Sequence, residues 1–128
     1  MVEWIKIFSN ATEAEQRLQA DKPQLVIINS NRICLVRHTD KFYAVQDSCS
    51  HSGESLSKGH INYLGEVICP LHNHCFDLQT GREISSRSAD LKTYPIKIDE
   101  SGFFISVNDF FLVTSFLYSL IHIFSCVN

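Results

Sequence analysis

Two short segments, each with one cysteine and one histidine, constrain this chain more than any other feature. The first is Cys49-Ser50-His51, the second is Cys69-Pro70-Leu71-His72, and 17 residues lie between them. Thiolates and imidazoles are ligands for zinc and for iron–sulfur clusters. Two such pairs on two loops therefore predict one metal centre with two sulfur and two nitrogen ligands.

Composition limits the kind of protein that carries this centre. The chain has 128 residues, enough for one domain whose apolar core needs no disulfide bonds. Its net charge is −3, whereas a nucleic-acid surface needs a positive field. The five cysteines are odd in number and irregularly spaced, unlike a disulfide framework. The N-terminus lacks the features of a secretion signal, so we expect a cytoplasmic setting.

Most of the chain has the alternating pattern of short strands. Asn10 followed by Glu13 resembles a capping box and predicts one short helix over residues 11–20. No repeat or linker divides the chain before residue 108, so residues 1–108 are expected to form one all-β domain. The apolar and β-branched runs predict strands at 4–8, 24–28, 32–37, 42–46, 66–69, 75–78, 91–98 and 103–107. Tight turns are expected at Asn29-Ser30-Asn31 and at Thr39-Asp40-Lys41.

The ligand types leave both zinc and iron–sulfur chemistry open. Structural zinc sites usually have two to four residues between paired ligands, whereas Cys49 and His51 have one. A cysteine and a histidine in each loop can also be shared between two irons, with both thiolates on one and both imidazoles on the other. That division is the Rieske arrangement.

The two motifs resemble those of Rieske iron–sulfur proteins, Cys-x-His followed by Cys-x-x-His. The resemblance covers roughly residues 2–107. It implies a Rieske-like antiparallel β-sandwich with a cluster-binding subdomain of two loops and a [2Fe-2S] cluster. Cys49 and Cys69 would bind one iron, and His51 and His72 the other. The flanking segments also match, at Tyr43-Ala44-Val45, at Leu56-Ser57-Lys58-Gly59 and at Phe76-Asp77-Leu78-Gln79-Thr80-Gly81.

The resemblance also implies a function. Free-standing Rieske domains of this size are similar to ferredoxins that carry single electrons from a reductase to a terminal oxygenase. The partners would dock near His51 and His72, because in that family the histidine edges face the partner. We therefore expect this protein to be an electron-transfer component rather than a catalyst by itself. An accessory subunit resembling that of nitrite reductase, which commonly lacks the ligands, and an iron–sulfur redox sensor stay open as alternatives.

Three residues in or just after the second motif depart from the high-potential Rieske proteins of respiration. Leu71 stands where those proteins have a disulfide-forming cysteine, and His74 and Phe76 replace hydroxyl donors. Hydrogen bonds to sulfur favour the reduced state, so their loss predicts a low reduction potential.

Other residues near the motifs carry weaker predictions. Asn73 stands where the family usually has glycine, so we expect a positive φ there. His74 is an alternative to His72 as the second nitrogen ligand, although the motif spacing favours His72. Cys34 and Cys75 are expected to point into the core.

An apolar extension, residues 109–128, follows the expected domain. Residues 110–127 contain no charged side chain, and 18 helical residues would span about 27 Å, just short of a hydrocarbon core. A membrane anchor is possible but less favoured, because polar residues interrupt the run and no basic residues flank it. A packed helix or strand, a self-association surface and a non-native extension remain as alternatives.

Overall fold

The computed structural model describes residues 3–107, and the extension predicted at 109–128 lies outside them. The described part has one α-helix, α1 (Ala11–Arg17), and one short 3-10 helix (Leu56–Lys58). Its strands are β1 (Trp4–Phe8), β2 (Gln24–Ile28), β3 (Asn31–His38), β4 (Lys41–Gln46), β5 (His60–Ile61), β6 (Glu66–Ile68), β7 (Cys75–Asp77), β8 (Ile96–Asp99) and β9 (Gly102–Ser106).

The strands form three antiparallel sheets, ordered β1-β9-β8, β2-β3-β4 and β5-β6-β7. The predicted all-β antiparallel fold is confirmed, and the described residues include no helix long and apolar enough to cross a membrane.

Strand β3 is buried on both faces and separates two hydrophobic cores. Ile33 and Leu35 lie in the first core, with the helix and the β1-β9-β8 sheet. Cys34 and Val36 lie in the second core, below the metal-binding motifs. Successive side chains of a strand point to opposite faces, so one strand can supply both cores. The expectation that Cys34 is a core residue is confirmed, because its side chain is fully buried.

Aromatic contacts hold the first core together. Phe103 is fully buried and meets the rings of Phe8 and Phe42 edge to face, with centroid separations of 5.2 and 5.0 Å. The edge-to-face arrangement is a favoured geometry for aromatic pairs. The helix adds Ala14, and Leu18 follows it into the same core.

Two tight hairpins build the central sheet, as the sequence predicts. Asn29 and Ser30 have φ values of 49° and 69°, and Thr39 and Asp40 have 47° and 63°. Two successive residues with positive φ match the twist of the adjoining strands. These turns fix the register in which β3 pairs with β2 and β4.

The helix begins as predicted but ends earlier. The Asn10 side chain accepts a hydrogen bond of 2.8 Å from the Glu13 backbone N–H. The Glu13 carboxylate in turn accepts from the backbone N–H of Ser9 rather than from that of Asn10. Leu18 is extended (φ −111°, ψ 109°) and buried, so the helix ends at Arg17 and not near residue 20.

The strand predicted over residues 91–98 is wrong in its first half. β8 begins at Ile96, directly after Pro95, whose ring nitrogen cannot donate a hydrogen bond. Residues 92–94 instead follow β4: the Lys92 carbonyl accepts from the Gln46 N–H, and the Tyr94 N–H donates to the Ala44 carbonyl, both at 2.8 Å. The sequence prediction also missed β5 and the 3-10 helix.

Candidate metal centre

Two loops with the same hydrogen-bond frame carry the four predicted ligands. We call residues 49–54 the first loop and residues 69–74 the second loop. The Cys49 N–H donates to the Glu54 carbonyl and its carbonyl accepts from Gly53, both at 2.8 Å. Cys69 makes the equivalent bonds with His74, at 2.9 Å, and with Asn73, at 3.0 Å. Each loop therefore begins at its cysteine and closes five residues later.

The fifth position of each loop has a positive φ. Gly53 has φ 80° and Asn73 has φ 60°. Asparagine is one of the few residues other than glycine that adopts this conformation readily. The expectation for Asn73 is confirmed, and the matching backbone explains how different sequences form the same loop.

The two cysteines lie buried at the base of the loops. Cys49 and Cys69 are 2% and 1% exposed, and the four cysteines of the described range are free. The Ser52 hydroxyl lies 3.6 Å from Cys69 Sγ. Burial opposes ionisation of Cys49, but hydrogen bonds from the Ser52 backbone and hydroxyl, the His51 N–H and the Cys69 side chain outweigh it and lower the pKa of this thiol. The loop thus favours the thiolate that a metal requires.

The two predicted histidines lie at the surface. His51 and His72 are exposed, and their ring centroids are 5.1 Å apart with an angle of 75° between the planes. Desolvation, followed by the neighbouring His74 and His72 rings, lowers the pKa of His51. A lower pKa favours the neutral imidazole, which is the form that binds a metal.

His74 is buried and stacks on His51. Its side chain is 7% exposed, and the two rings are nearly parallel, with an interplanar angle of 9° and centroids 4.1 Å apart. A ring nitrogen directs its lone pair within the ring plane, so two parallel stacked rings cannot aim at one iron. The crossed rings of His51 and His72 can converge. The geometry therefore favours His72 over His74 as the partner of His51.

A third segment, residues 83–90, covers one side of the two loops. The Ser50 hydroxyl of the first loop donates to the Ala89 carbonyl. On the second loop, His74 Nδ1 lies 3.4 Å from the Ser88 hydroxyl. Sequence reasoning missed this segment, because its run of polar residues has no signal beyond that of a loop. It enters the site only through contacts with residues distant in sequence.

Glu83 organises this segment from a buried position. Its carboxylate is 1% exposed and accepts hydrogen bonds from the backbone N–H groups of Ser85, Arg87 and Ser88, at 2.9, 2.7 and 3.2 Å. Burial raises the pKa of this carboxyl, but the bonds from the Ser85 hydroxyl and these N–H groups outweigh burial and lower it to about 2. Glu83 is therefore a carboxylate at neutral pH.

Cys75 departs from the expected position. The strand β7 alternates so that Phe76 is fully buried, and Cys75 lies half-buried beside it with Sγ 3.6 Å from the Asn73 carbonyl. The expectation of a core position for Cys75 is wrong. The run 75–78 is too short for the sequence to show which of its faces is buried.

The donor set suits a [2Fe-2S] cluster shared between two irons. Among residues 3–107, no three or more His, Cys, Asp or Glu side chains converge as a site for one metal ion. A Rieske cluster requires a different arrangement, with two thiolates on one iron and two imidazoles on the other. Two buried cysteines and a crossed pair of exposed histidines fit that requirement.

Comparisons with known proteins identify the same chemistry. The family model of the Rieske [2Fe-2S] domain matches residues 9–95. The 3-phenylpropionate/cinnamic acid dioxygenase ferredoxin subunit of Shigella boydii serotype 4 is 38% identical over 92 residues, which are 69% of this chain and 87% of that protein.

Two solved structures share the fold. A chain from the complex of reduced oxygenase and oxidized ferredoxin in carbazole 1,9a-dioxygenase has a TM-score of 0.66 at 25% identity, covering 79% of this chain and 99% of that one. A putative NADH-dependent nitrite reductase small subunit from Mycobacterium tuberculosis has a TM-score of 0.71 at 17% identity, covering 85% and 98%. The second likeness shows the fold alone.

With the family match over residues 9–95, the cofactor is that of an iron–sulfur protein rather than a zinc protein. The chain belongs to the Rieske [2Fe-2S] domain family. Its cofactor is a Rieske-type [2Fe-2S] cluster, and its function is one-electron transfer.

Proposed function

We propose that Cys49 and Cys69 bind one iron of the cluster through sulfur, and that His51 and His72 bind the other through ring nitrogen. The observation that carries this assignment is the pairing of two buried thiols with two crossed, exposed imidazoles on loops of identical frame. The bound cluster supplies a site that accepts and releases a single electron.

The buried cysteines and the exposed histidines of the site have different roles. Burial of Cys49 and Cys69 keeps water from the sulfur side, and the hydrogen bonds of the first loop favour the thiolate form of Cys49. His51 and His72 present exposed edges, which give an electron a short route to a docked partner. Imidazole ligands also hold the potential above that of an all-cysteine cluster.

A terminal oxygenase is the proposed electron acceptor, and a reductase the proposed donor. Support comes from relatives named as dioxygenase ferredoxin subunits and from the similar ferredoxin complexed with an oxygenase. Both partners would dock over His51 and His72, where Pro70 and Leu71 are exposed and Leu71 retains 54% of its accessible surface. A small patch of this kind suits the weak encounters of redox proteins.

We predict that the centre has a low potential, toward the lower end of the roughly −150 to +300 mV range of Rieske clusters. The reason is the absence of a cysteine at position 71 and of a tyrosine hydroxyl at Phe76. A spectroscopic redox titration of the purified protein measures the midpoint directly. A midpoint well above zero would contradict this prediction.

Ligand replacement tests the assignment. We expect His51→Cys and His72→Cys, in protein reconstituted with iron and sulfide, to shift the visible and EPR spectra toward those of an all-thiolate cluster. His60→Cys is the matched control, because His60 is exposed on β5 and lies outside both loops. A spectrum that stays unchanged in either ligand variant would overturn the assignment.

The same reconstitution addresses the accessory-subunit alternative, to which the nitrite reductase small subunit is similar in fold. Wild-type protein that stays colourless after reconstitution would favour that alternative. A Rieske spectrum together with electron transfer from a reductase would support the carrier.

A further inference from the structure

The His51 ring packs against two histidines that lie outside its own loop. It is exposed at the third position of the first loop, and a surface histidine can rotate about its side-chain bonds. The ring meets two others: the edge-on ring of His72 and the parallel face of His74. The contact with His74 is the face-to-face one of the two, so it limits tilting of the His51 ring plane.

His74 is itself held in place. It is buried, and its Nδ1 lies 3.4 Å from the Ser88 hydroxyl and 3.9 Å from a carboxylate oxygen of Glu83. Glu83 in turn is fixed by the backbone N–H groups of its own segment. A ring anchored on its nitrogen side and packed on its face has little freedom to move.

The covering segment also holds the first loop. Ser50, the residue before His51, donates its hydroxyl hydrogen bond to the Ala89 carbonyl. Residues 83–90 therefore bind the residue before His51 through Ala89 and contact His74 itself through Ser88. This double attachment links the two loops that carry the stacked rings.

We propose that His74 is a positioning residue that fixes the ring plane of His51 at the iron and shields one face of that ring from water. The proposal rests on His51 being an iron ligand, as proposed above. Side chains that contact a metal-bound histidine orient its ring and tune the metal. A fixed ring keeps the same orientation in both redox states, which favours fast electron exchange.

Two replacements of His74 distinguish the effect of its aromatic face from the effect of its ring nitrogen. His74→Phe keeps an aromatic face, and His74→Ala removes it; His60→Ala, at an exposed position outside the loops, is the control. Each full-length protein is reconstituted, its iron content is measured, and EPR g-values, pulsed-EPR nitrogen couplings and the electron self-exchange rate are compared.

We expect His74→Phe and His60→Ala to keep the wild-type g-values. His74→Ala should show altered g-values, broadened lines and a self-exchange rate reduced severalfold. A cluster-containing His74→Ala protein with unchanged EPR and exchange rate would overturn the proposal. If His74→Ala does not retain the cluster, His74→Phe decides: a wild-type signal supports the stacking role, and a lost or altered signal overturns it.

Failure of the proposed function is distinguishable from failure of this inference. A wild-type protein without a Rieske EPR signal would overturn the ligand assignment and the inference together. A normal wild-type signal with an insensitive His74→Ala variant would overturn the positioning role alone.

Discussion

Ser52 adds a hydroxyl donor that sequence comparison of the second loop does not find. The sequence shows that His74 and Phe76 replace donors of high-potential relatives, which predicts a low potential. In the structure the Ser52 hydroxyl reaches across from the first loop to within 3.6 Å of Cys69 Sγ, and it also lowers the pKa of Cys49. A hydroxyl carries one proton, so Ser52 donates to one sulfur at a time, and that bond offsets part of the loss.

Replacing Ser52 by alanine should lower the reduction potential, because hydrogen bonds to sulfur stabilise the reduced cluster. A differential hydrogen-bond energy of about 1 kcal/mol corresponds to about 40 mV for a one-electron couple. We expect a decrease of that order in a redox titration. Ser52→Thr keeps the hydroxyl and serves as the control. An unchanged or higher midpoint for Ser52→Ala would contradict the role.

Glu83 makes the stability of the protein sensitive to acid. Its pKa is about 2 in the folded protein, below the ordinary value of 4.5. The unfolded chain therefore binds the proton more readily, so this contribution to stability is complete above about pH 4.5 and falls as the pH drops toward 2. Urea unfolding of the apoprotein across this range should show a shallower decline for Glu83→Gln than for wild type. Equal slopes would contradict the prediction.

At the scale of the elements, the left-handed residue in each loop determines whether the loop closes. Asn73→Ala should cost about 1–2 kcal/mol of folding free energy, because alanine is disfavoured at its φ of 60°. Asn73→Gly should preserve or improve stability. Chemical unfolding measures the difference, and cluster content reports the loop itself. An alanine variant as stable as the glycine variant would contradict the argument.

The sequence predicts those elements whose signals are local. The hairpin turns at Asn29 and Asp40 and the cap at Asn10 are set by residues within a few positions, and all form where expected. The same holds for the two motifs, whose loop frames close over six residues. Local patterns therefore suffice for the parts of the site that carry the proposed ligands.

Elements held by distant contacts are predicted poorly. Tyr94 is buried with a strand-like pattern, yet its partner is Ala44, 50 residues earlier, and Pro95 separates it from β8. Likewise, nothing adjacent to Glu83 in the sequence shows that its segment lies against His74. The alternation of a strand or the polarity of a loop does not show which distant segment it contacts. The position of residues 83–90 against the two loops was therefore not predictable from the sequence.

At the scale of the whole molecule, strand β3 contributes side chains to both hydrophobic cores. Its neighbouring residues alternate between them, with Leu35 in the first and Val36 in the second. The buried cysteines of the site belong to the second core, beside Val67 and Phe76. The face of β3 that carries Cys34 and Val36 therefore lies in the same core as the cysteines of both metal loops.

The last described strand belongs to the first core, which bears on the expected domain at 1–108. β9 pairs with both β1 and β8, and Phe103, Ile105 and Val107 are buried in the first core. The family match ends at residue 95, before β8 and β9. The assignment of those two strands to the domain therefore depends on the structure. Their burial predicts that the domain extends to residue 107.

A chain ending at residue 108 should therefore keep the thermal midpoint and the Rieske spectrum of the full-length protein. The physical reason is that this chain retains every side chain of the first core among residues 3–107, up to Val107. Circular dichroism melting and cluster content test this, with a chain ending at residue 101 as a control that loses β9 and should not fold. A marked drop in midpoint or cluster binding for the longer chain would show that residues 109–128 belong to the domain.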